Sequence, residues 1–178
     1  MRKICISKGW NLQLPDFNGP VDLPNDYSIT MPRSKDVPGA ADNGFFPTAT
    51  GTYTKELLLP ASSSHYILDI DGAYMCTTVD LNGHELVMHP HGYTPLLVDL
   101  TKHVVPNQTN TLTVTTDAVQ PSTRWYSGAG IYRDVYLWDG GDIRIEPWDK
   151  FVYSPTLDTA HEQQWRRLEP CSDVRRIR

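Results

Sequence analysis

Arg124-Trp125-Tyr126-Ser127-Gly128-Ala129-Gly130-Ile131-Tyr132-Arg133-Asp134-Val135-Tyr136-Leu137 is the stretch on which the reading of this chain turns. Its first half is a bend: Ser127, Gly128 and Gly130 let the backbone reach positive φ or come close to another surface. Its second half alternates. Ile131, Arg133, Val135 and Leu137 are expected to point one way and Tyr132, Asp134, Tyr136 and Trp138 the other, with the two-residue period of a strand. Arg124, Trp125 and Tyr126, just before the glycine-rich bend, would set two aromatic faces and a guanidinium fork at the end of a sheet. Such a cluster can stack on a sugar face or a base while the fork holds hydroxyls or carboxylates. The same two rings can equally well close the end of a core.

The chain around this stretch has the composition of a turn-rich β protein. Its 178 residues suffice for one domain with a sizeable core, and 12 Gly with 14 Pro favour many short strands over long helices. A formal net charge of −5 and the lack of a basic stripe argue against nucleic acid as a partner. No apolar run approaches the roughly 18 residues of a membrane span. The start, Met1 to Ser7, has no apolar signal core because Lys8, Gly9 and Asn11 interrupt it, so a cytoplasmic location is expected. Cys5, Cys76 and Cys171 are odd in number and irregular in spacing, which supports neither a disulfide framework nor a zinc site. Asn107-Gln108-Thr109 reads as an accidental glycosylation sequon.

Strand patterns follow one another along the chain. Residues 1–14 hold a short alternating strand and then Gly9-Trp10-Asn11. Residues 31–52 are a long irregular passage with three prolines and three glycines, of the kind that is usually functional or mobile. Strands are expected over 53–59, 65–71, 74–81 and 84–88. Asp71-Gly72 and Asn82-Gly83 give tight-turn signals between them. Residues 110–116 alternate and deliver the chain to the opening stretch. About ten short strands with a turn every 8–12 residues make an all-β sandwich. His89-Pro90-His91 puts two imidazoles on one side of an extended segment, but with no third ligand at a telling spacing these side chains read as polar surface. No metal site and no cofactor are expected.

The stretch 124–135 resembles the RWYSGAGIYRDV signature of the N-terminal sugar-binding domain of glycoside hydrolase family 2, the family of β-galactosidases, β-mannosidases and β-glucuronidases. Further matches support the resemblance. Leu23-Pro24-Asn25-Asp26-Tyr27 is similar to the family's LPHDW, with Asn25 for His and Tyr27 for Trp. Residues 44–47 and 51–55 are similar to GYLPGG-GWYRK, with Thr52 and Thr54 departing from it. Gly92-Tyr93-Thr94-Pro95-Leu96 and Asp99-Leu100-Thr101 are similar to GYTPF and DLT. The resemblance covers roughly residues 4–157 and implies a jelly-roll β-sandwich of the galactose-binding type.

It also implies a division: 1–150 the sugar-binding jelly roll, and 151–160 the start of a truncated immunoglobulin-like second domain. Residues 161–178 would be an irregular or disordered tail, since they carry five arginines and no alternation. A truncated or frameshifted gene, or a fragment, is the expected origin. In the family the two catalytic glutamates lie in a barrel further on; neither catalytic motif is found in this sequence, so no catalytic residue is assigned. The resemblance implies Arg124, Trp125, Tyr126 and, as a lesser candidate, Asp26 as contacts to sugar or barrel. Arg133, flanked by strand residues, reads as a structural ion-pair partner. The expected function is a non-catalytic carbohydrate-binding domain of a β-galactosidase-like hydrolase, with a β-galactoside or related sugar as ligand. The alternative is a docking module without sugar affinity, partnered by a glycosidase barrel or by a second copy through the aromatic loop. A third reading is an enzyme formed by assembly with a separate barrel-bearing chain.

Overall fold

The structure is a computed structural model that describes residues 1–118, 120, 128–151 and 153. It falls into two compact units, Met1–Pro147 and Trp148–Arg178. Of the second unit, the rings of Phe151 and Tyr153 stack at 5.8 Å. The rest of the expected second-domain start, and the whole expected tail 161–178, lie outside the described residues.

The first unit is the expected all-β fold, with ten strands among the described residues. In chain order they are β1 (Arg2–Cys5), β2 (Trp10–Leu14), β3 (Phe17–Val21), β4 (Thr50–Leu58), β5 (His65–Ile70), β6 (Thr77–Leu81), β7 (His84–His89), β8 (Leu96–Asp99), β9 (Thr109–Asp117) and β10 (Val135–Gly140). A four-stranded sheet runs β1-β10-β5-β8 and a six-stranded sheet β3-β2-β4-β9-β6-β7, all neighbours antiparallel. Consecutive strands repeatedly change sheet, as in a jelly roll. No described helix is long and apolar enough to cross a membrane.

The two-residue period explains what lies between the sheets. Leu112 and Val114 of β9, Val79 and Leu81 of β6, Tyr53 and Leu57 of β4, Leu68 and Ile70 of β5, and Val135 and Leu137 of β10 are all buried in one core. Trp10 is buried edge-on against Tyr53, at 6.5 Å and 82°, and its indole N–H donates to the Ile6 carbonyl at 2.8 Å. The one polar atom of the largest core side chain is thereby satisfied.

The turn signals divide. Asn82-Gly83 makes the expected two-residue hairpin, with φ +55 and +83 and Leu81 opposite His84. Asp71-Gly72 makes no hairpin. It starts a crossover from β5 in one sheet to β6 in the other, and the Tyr74–Met75 peptide within it is cis. The predicted strand from Ile131 also begins later, at Val135. Ile131 is buried but Arg133 is exposed, so the expected alternation fails over 131–134. Those residues spend their backbone groups on loops: the Ile131 carbonyl accepts from Asn25 N–H, Arg133 N–H donates to Gly72, and the Asp134 carbonyl accepts from Asp71 N–H.

Candidate functional site at the loop-bearing end

The registers place the long connections at one end of the sandwich. There β4 begins opposite the end of β9 (Thr50 and Asp117), β6 begins opposite the end of β7 (Thr77 and His89), and β10 begins opposite the end of β5 (Val135 and Ile70). Connections 71–76 and 90–95 and residues 118, 120 and 128–134 therefore gather at this end, together with the late part of the 22–49 passage that feeds β4. Residues 82–83 turn tightly at the opposite end. Loops held at one end of a rigid sandwich are where such folds carry binding sites.

The glycine half of the opening stretch is clasped here. Asn25 N–H donates to the Ile131 carbonyl at 2.7 Å and Tyr27 N–H to the Ala129 carbonyl at 3.0 Å. On the other side Gly130 and Tyr74 exchange both backbone hydrogen bonds, at 2.9 and 3.0 Å. Gly130 is thus pressed between two segments with φ +112. A β-carbon on it would lie 2.4 Å from Tyr53 Oη and 2.7 Å from the Asn25 carbonyl oxygen. Only glycine fits both the dihedral and the space.

Side chains complete the clasp. Asp26 Oδ1 accepts from Ser28 N–H at 3.1 Å, closing a local turn, and also from Ala129 N–H at 3.0 Å across 103 residues. Tyr53 Oη donates to Asn25 Oδ1 at 2.8 Å and accepts from Ile131 N–H at 3.4 Å. Tyr27 Oη donates to the Ala49 carbonyl at 2.6 Å, its ring lying over Gly51, where a β-carbon would meet it at 2.5 Å. Both phenols are buried. Burial pushes Tyr27 up to about 12 and Tyr53 higher still, so each remains a neutral hydrogen-bonding group at ordinary pH.

A second set of aromatic groups adjoins the clasp. Tyr74 packs edge-on to Tyr93, with centroids 5.6 Å apart. Tyr132 Oη donates to the Gly92 carbonyl at 2.6 Å, tying connection 90–95 to the segment after Gly130. Arg133 lies with its guanidinium carbon 5.5 Å from the centre of the Tyr132 ring. The expected ion pair is not formed: no carboxylate among the described residues comes within 4.0 Å of Arg133, because Asp134 turns to Ser7 Oγ and Tyr136 Oη instead. Nearby, a cleft of about 390 Å³ opens between Val37, Pro47, Ala49, Asp117 and Gln120. Gln120 donates to the Phe46 carbonyl, while its Oε1 is buried without a hydrogen-bond partner among the described residues.

Of the four residues singled out from the sequence, the structure places Asp26 in the clasp. Arg124, Trp125 and Tyr126 lie outside the described residues. Asn25, Tyr27, Tyr53 and Tyr74 are clasp residues that the sequence reading did not select. Their signal was faint, consisting of two departures from LPHDW, one tyrosine in β4 and one in the crossover after β5. The imidazoles of His89 and His91 lie 6.0 Å apart, and His89 Nε2 is 2.8 Å from Thr94 Oγ1. No cluster of three metal-ligating side chains occurs among the described residues.

Known proteins with the same pattern share this unit. Over 141 residues the chain is 36% identical to a β-galactosidase of Bacteroides ovatus, an alignment that covers 78% of this chain and 17% of that protein. A solved β-glycosidase from Bacteroides vulgatus superposes with a TM-score of 0.72 at 28% identity, over 78% of this chain and 20% of its own. A glycosyl hydrolase family 2 member from Bacteroides cellulosilyticus gives 0.73 at 24% identity over the same shares, a likeness of fold alone. No protein-family model matches the chain. The chain thus spans about a fifth of the length of these relatives.

Proposed function

We propose, from the premise that this chain belongs to glycoside hydrolase family 2 through its jelly-roll β-sandwich, that its loop-bearing end recognises carbohydrate without cleaving it. Cleavage, on this reading, belongs to a barrel outside these 178 residues, where paired carboxylates can face one another across a sugar. One observation carries the proposal. Residues 128–131 are clamped from two sides by backbone hydrogen bonds and by Asp26 and Tyr53. The segment that follows Arg124, Trp125 and Tyr126 in the chain is therefore held in a fixed place. A binding surface built beside a fixed segment loses less entropy when a ligand arrives, and so binds more tightly for the same contacts.

The ligand class this supports is a β-galactoside or related sugar, as the name of the B. ovatus relative suggests. The test is a titration of the purified chain with galactosides, glucosides, mannosides and glucuronides, followed by tryptophan fluorescence. Saturable quenching by one class, abolished in Trp125→Ala while unfolding curves are unchanged, supports the proposal. No response up to tens of millimolar sinks it.

One feature favours a second reading, a docking surface for a barrel or a second copy. Ile29, Phe45 and Tyr93, all in connections that reach this end, are 61%, 39% and 56% exposed. Exposed apolar groups of this kind often mark protein contacts. Sedimentation at increasing concentration separates the two: a monomer at all concentrations that still binds sugar leaves recognition as the role.

A further inference from the structure

We infer that the cleft between Pro47 and Gln120 receives a lysine side chain of a partner protein, whose ammonium group bonds Gln120 Oε1 and pairs with Asp117. This role is separate from sugar binding. The cleft holds about 390 Å³, within the range of roughly 300–1,000 Å³ common for ligand pockets. Val37, Pro38, Pro47 and Ala49 line it, and its two prolines have no backbone N–H to offer. Two acceptors interrupt this apolar lining. Gln120 Oε1 is buried and has no hydrogen-bond partner among the described residues. The amide is anchored through its nitrogen, which donates to the Phe46 carbonyl at 3.2 Å, so the oxygen cannot turn away without breaking that bond. A buried acceptor without a donor is destabilising, and a donor entering the cleft removes the penalty.

Charge decides which donor fits. Asp117, the second acceptor, ends β9 and lines the same cleft. No Lys, Arg or His among the described residues comes within 4.0 Å of its carboxylate, and no lining side chain carries a positive charge. The hydroxyl of Thr50 and the amide nitrogen of Gln120 are already directed to Asp117 Oδ1 and Phe46. The matching occupant is therefore a cation with several N–H donors on an aliphatic stem, which is the chemistry of lysine. A guanidinium fits less well, because Asp117 Oδ1 already accepts from Thr50 and a fork prefers both carboxylate oxygens. Exposed apolar groups flank the cleft and point to a protein as the source. Phe45, 39% exposed, adjoins Phe46, and Ile29, 61% exposed, adjoins Ser28, whose hydroxyl donates to the Pro47 carbonyl at 2.5 Å.

The experiment titrates the full chain, labelled with nitrogen-15, with Nα-acetyl-lysine methylamide at low ionic strength. Nα-acetyl-norleucine methylamide, the same stem without the charge, is the comparison. The lysine probe is expected to give saturable shifts at the amides of Ala49, Asp117 and Ala118 and at the Gln120 side-chain amide. The norleucine probe should bind about tenfold more weakly or worse, and salt should weaken the lysine probe alone. Asp117→Asn keeps an acceptor for Thr50 and removes the charge, so it should leave the rest of the spectrum unchanged and weaken lysine binding by a similar factor. Gln120→Met should weaken it as well. Equal binding of the two probes, no shifts in the cleft, or an unchanged affinity in Asp117→Asn overturns the inference. Tighter binding of the corresponding arginine probe overturns the choice of lysine. Shifts at these amides with a sugar and none with lysine would give the cleft to carbohydrate instead.

Discussion

Replacing Gly130 by alanine tests the clasp that the whole site depends on. Two costs add. The backbone at φ +112 is a conformation that residues with a β-carbon rarely adopt, and holding one there costs about 1–3 kcal/mol. The new methyl would also meet the Asn25 carbonyl oxygen at 2.7 Å, Tyr53 Oη at 2.4 Å and the Tyr27 ring at 3.0 Å. The first of these is backbone tied to Ile131, and the two rings are buried, so none can swing away; overpacking of this kind costs about 1–3 kcal/mol. The sum, about 2–6 kcal/mol, is a large part of the 5–15 kcal/mol by which a domain is usually stable. In urea, with a slope of about 2 kcal/mol per molar, the midpoint should fall by about 1–3 M. Gly83→Ala is the control, for it has φ +83 with nothing within 4 Å of a new β-carbon. It should show the dihedral cost alone, about 1–2 kcal/mol. Equal losses in the two variants would refute the claim that Gly130 is enclosed.

Three further outcomes follow from the same geometry. Tyr53→Phe leaves Asn25 Oδ1 and Ile131 N–H without the phenol at a fully buried position and should cost about 1–3 kcal/mol in equilibrium unfolding; a neutral result would mean the hydroxyl does not hold the clasp. Asp26→Ala removes the acceptor shared by Ser28 and Ala129, so amide exchange at Ala129 should speed up tenfold or more, while Asp26→Asn, which keeps an oxygen, should do much less. Alkaline pH should unfold the sandwich. Tyr27 is raised from 10 to about 12 by burial, so the native state holds a proton that the unfolded chain loses, and stability present below pH 10 is lost between pH 10 and 12. The slope is at most about 1.4 kcal/mol per pH unit for each buried phenol. Tyr27→Phe should flatten that part of the pH profile, and an unaltered profile would contradict it.

What could be read in the sequence was what local chemistry settles. Asn82-Gly83 announces its own hairpin because both residues tolerate positive φ, and the alternation in β9 and β6 announces which side faces the core. Asp71-Gly72 misled for a physical reason. The glycine is there to admit Tyr132 and Arg133, 60 and 61 residues further on, and not to make a turn between paired strands. The same non-local competition ended the predicted alternation at Arg133, where loop contacts replaced a strand partner. The clasp was illegible because each of its bonds spans a long stretch of chain: 103 residues from Asp26 to Ala129 and 78 from Tyr53 to Ile131. No window of local sequence carries such pairs. The motif resemblance reached the right family because a short, glycine-rich text is constrained by the space available around it. Gly130 illustrates this, since it is fixed by three neighbours at once.

The most direct test of carbohydrate recognition is a crystal of the chain soaked with tens of millimolar of the sugar that quenches tryptophan most strongly. The account predicts sugar density at the loop-bearing end, on the aromatic groups next to residues 128–133. Density only at the opposite end, around residues 82–83, or no bound sugar at saturating concentration, would contradict it.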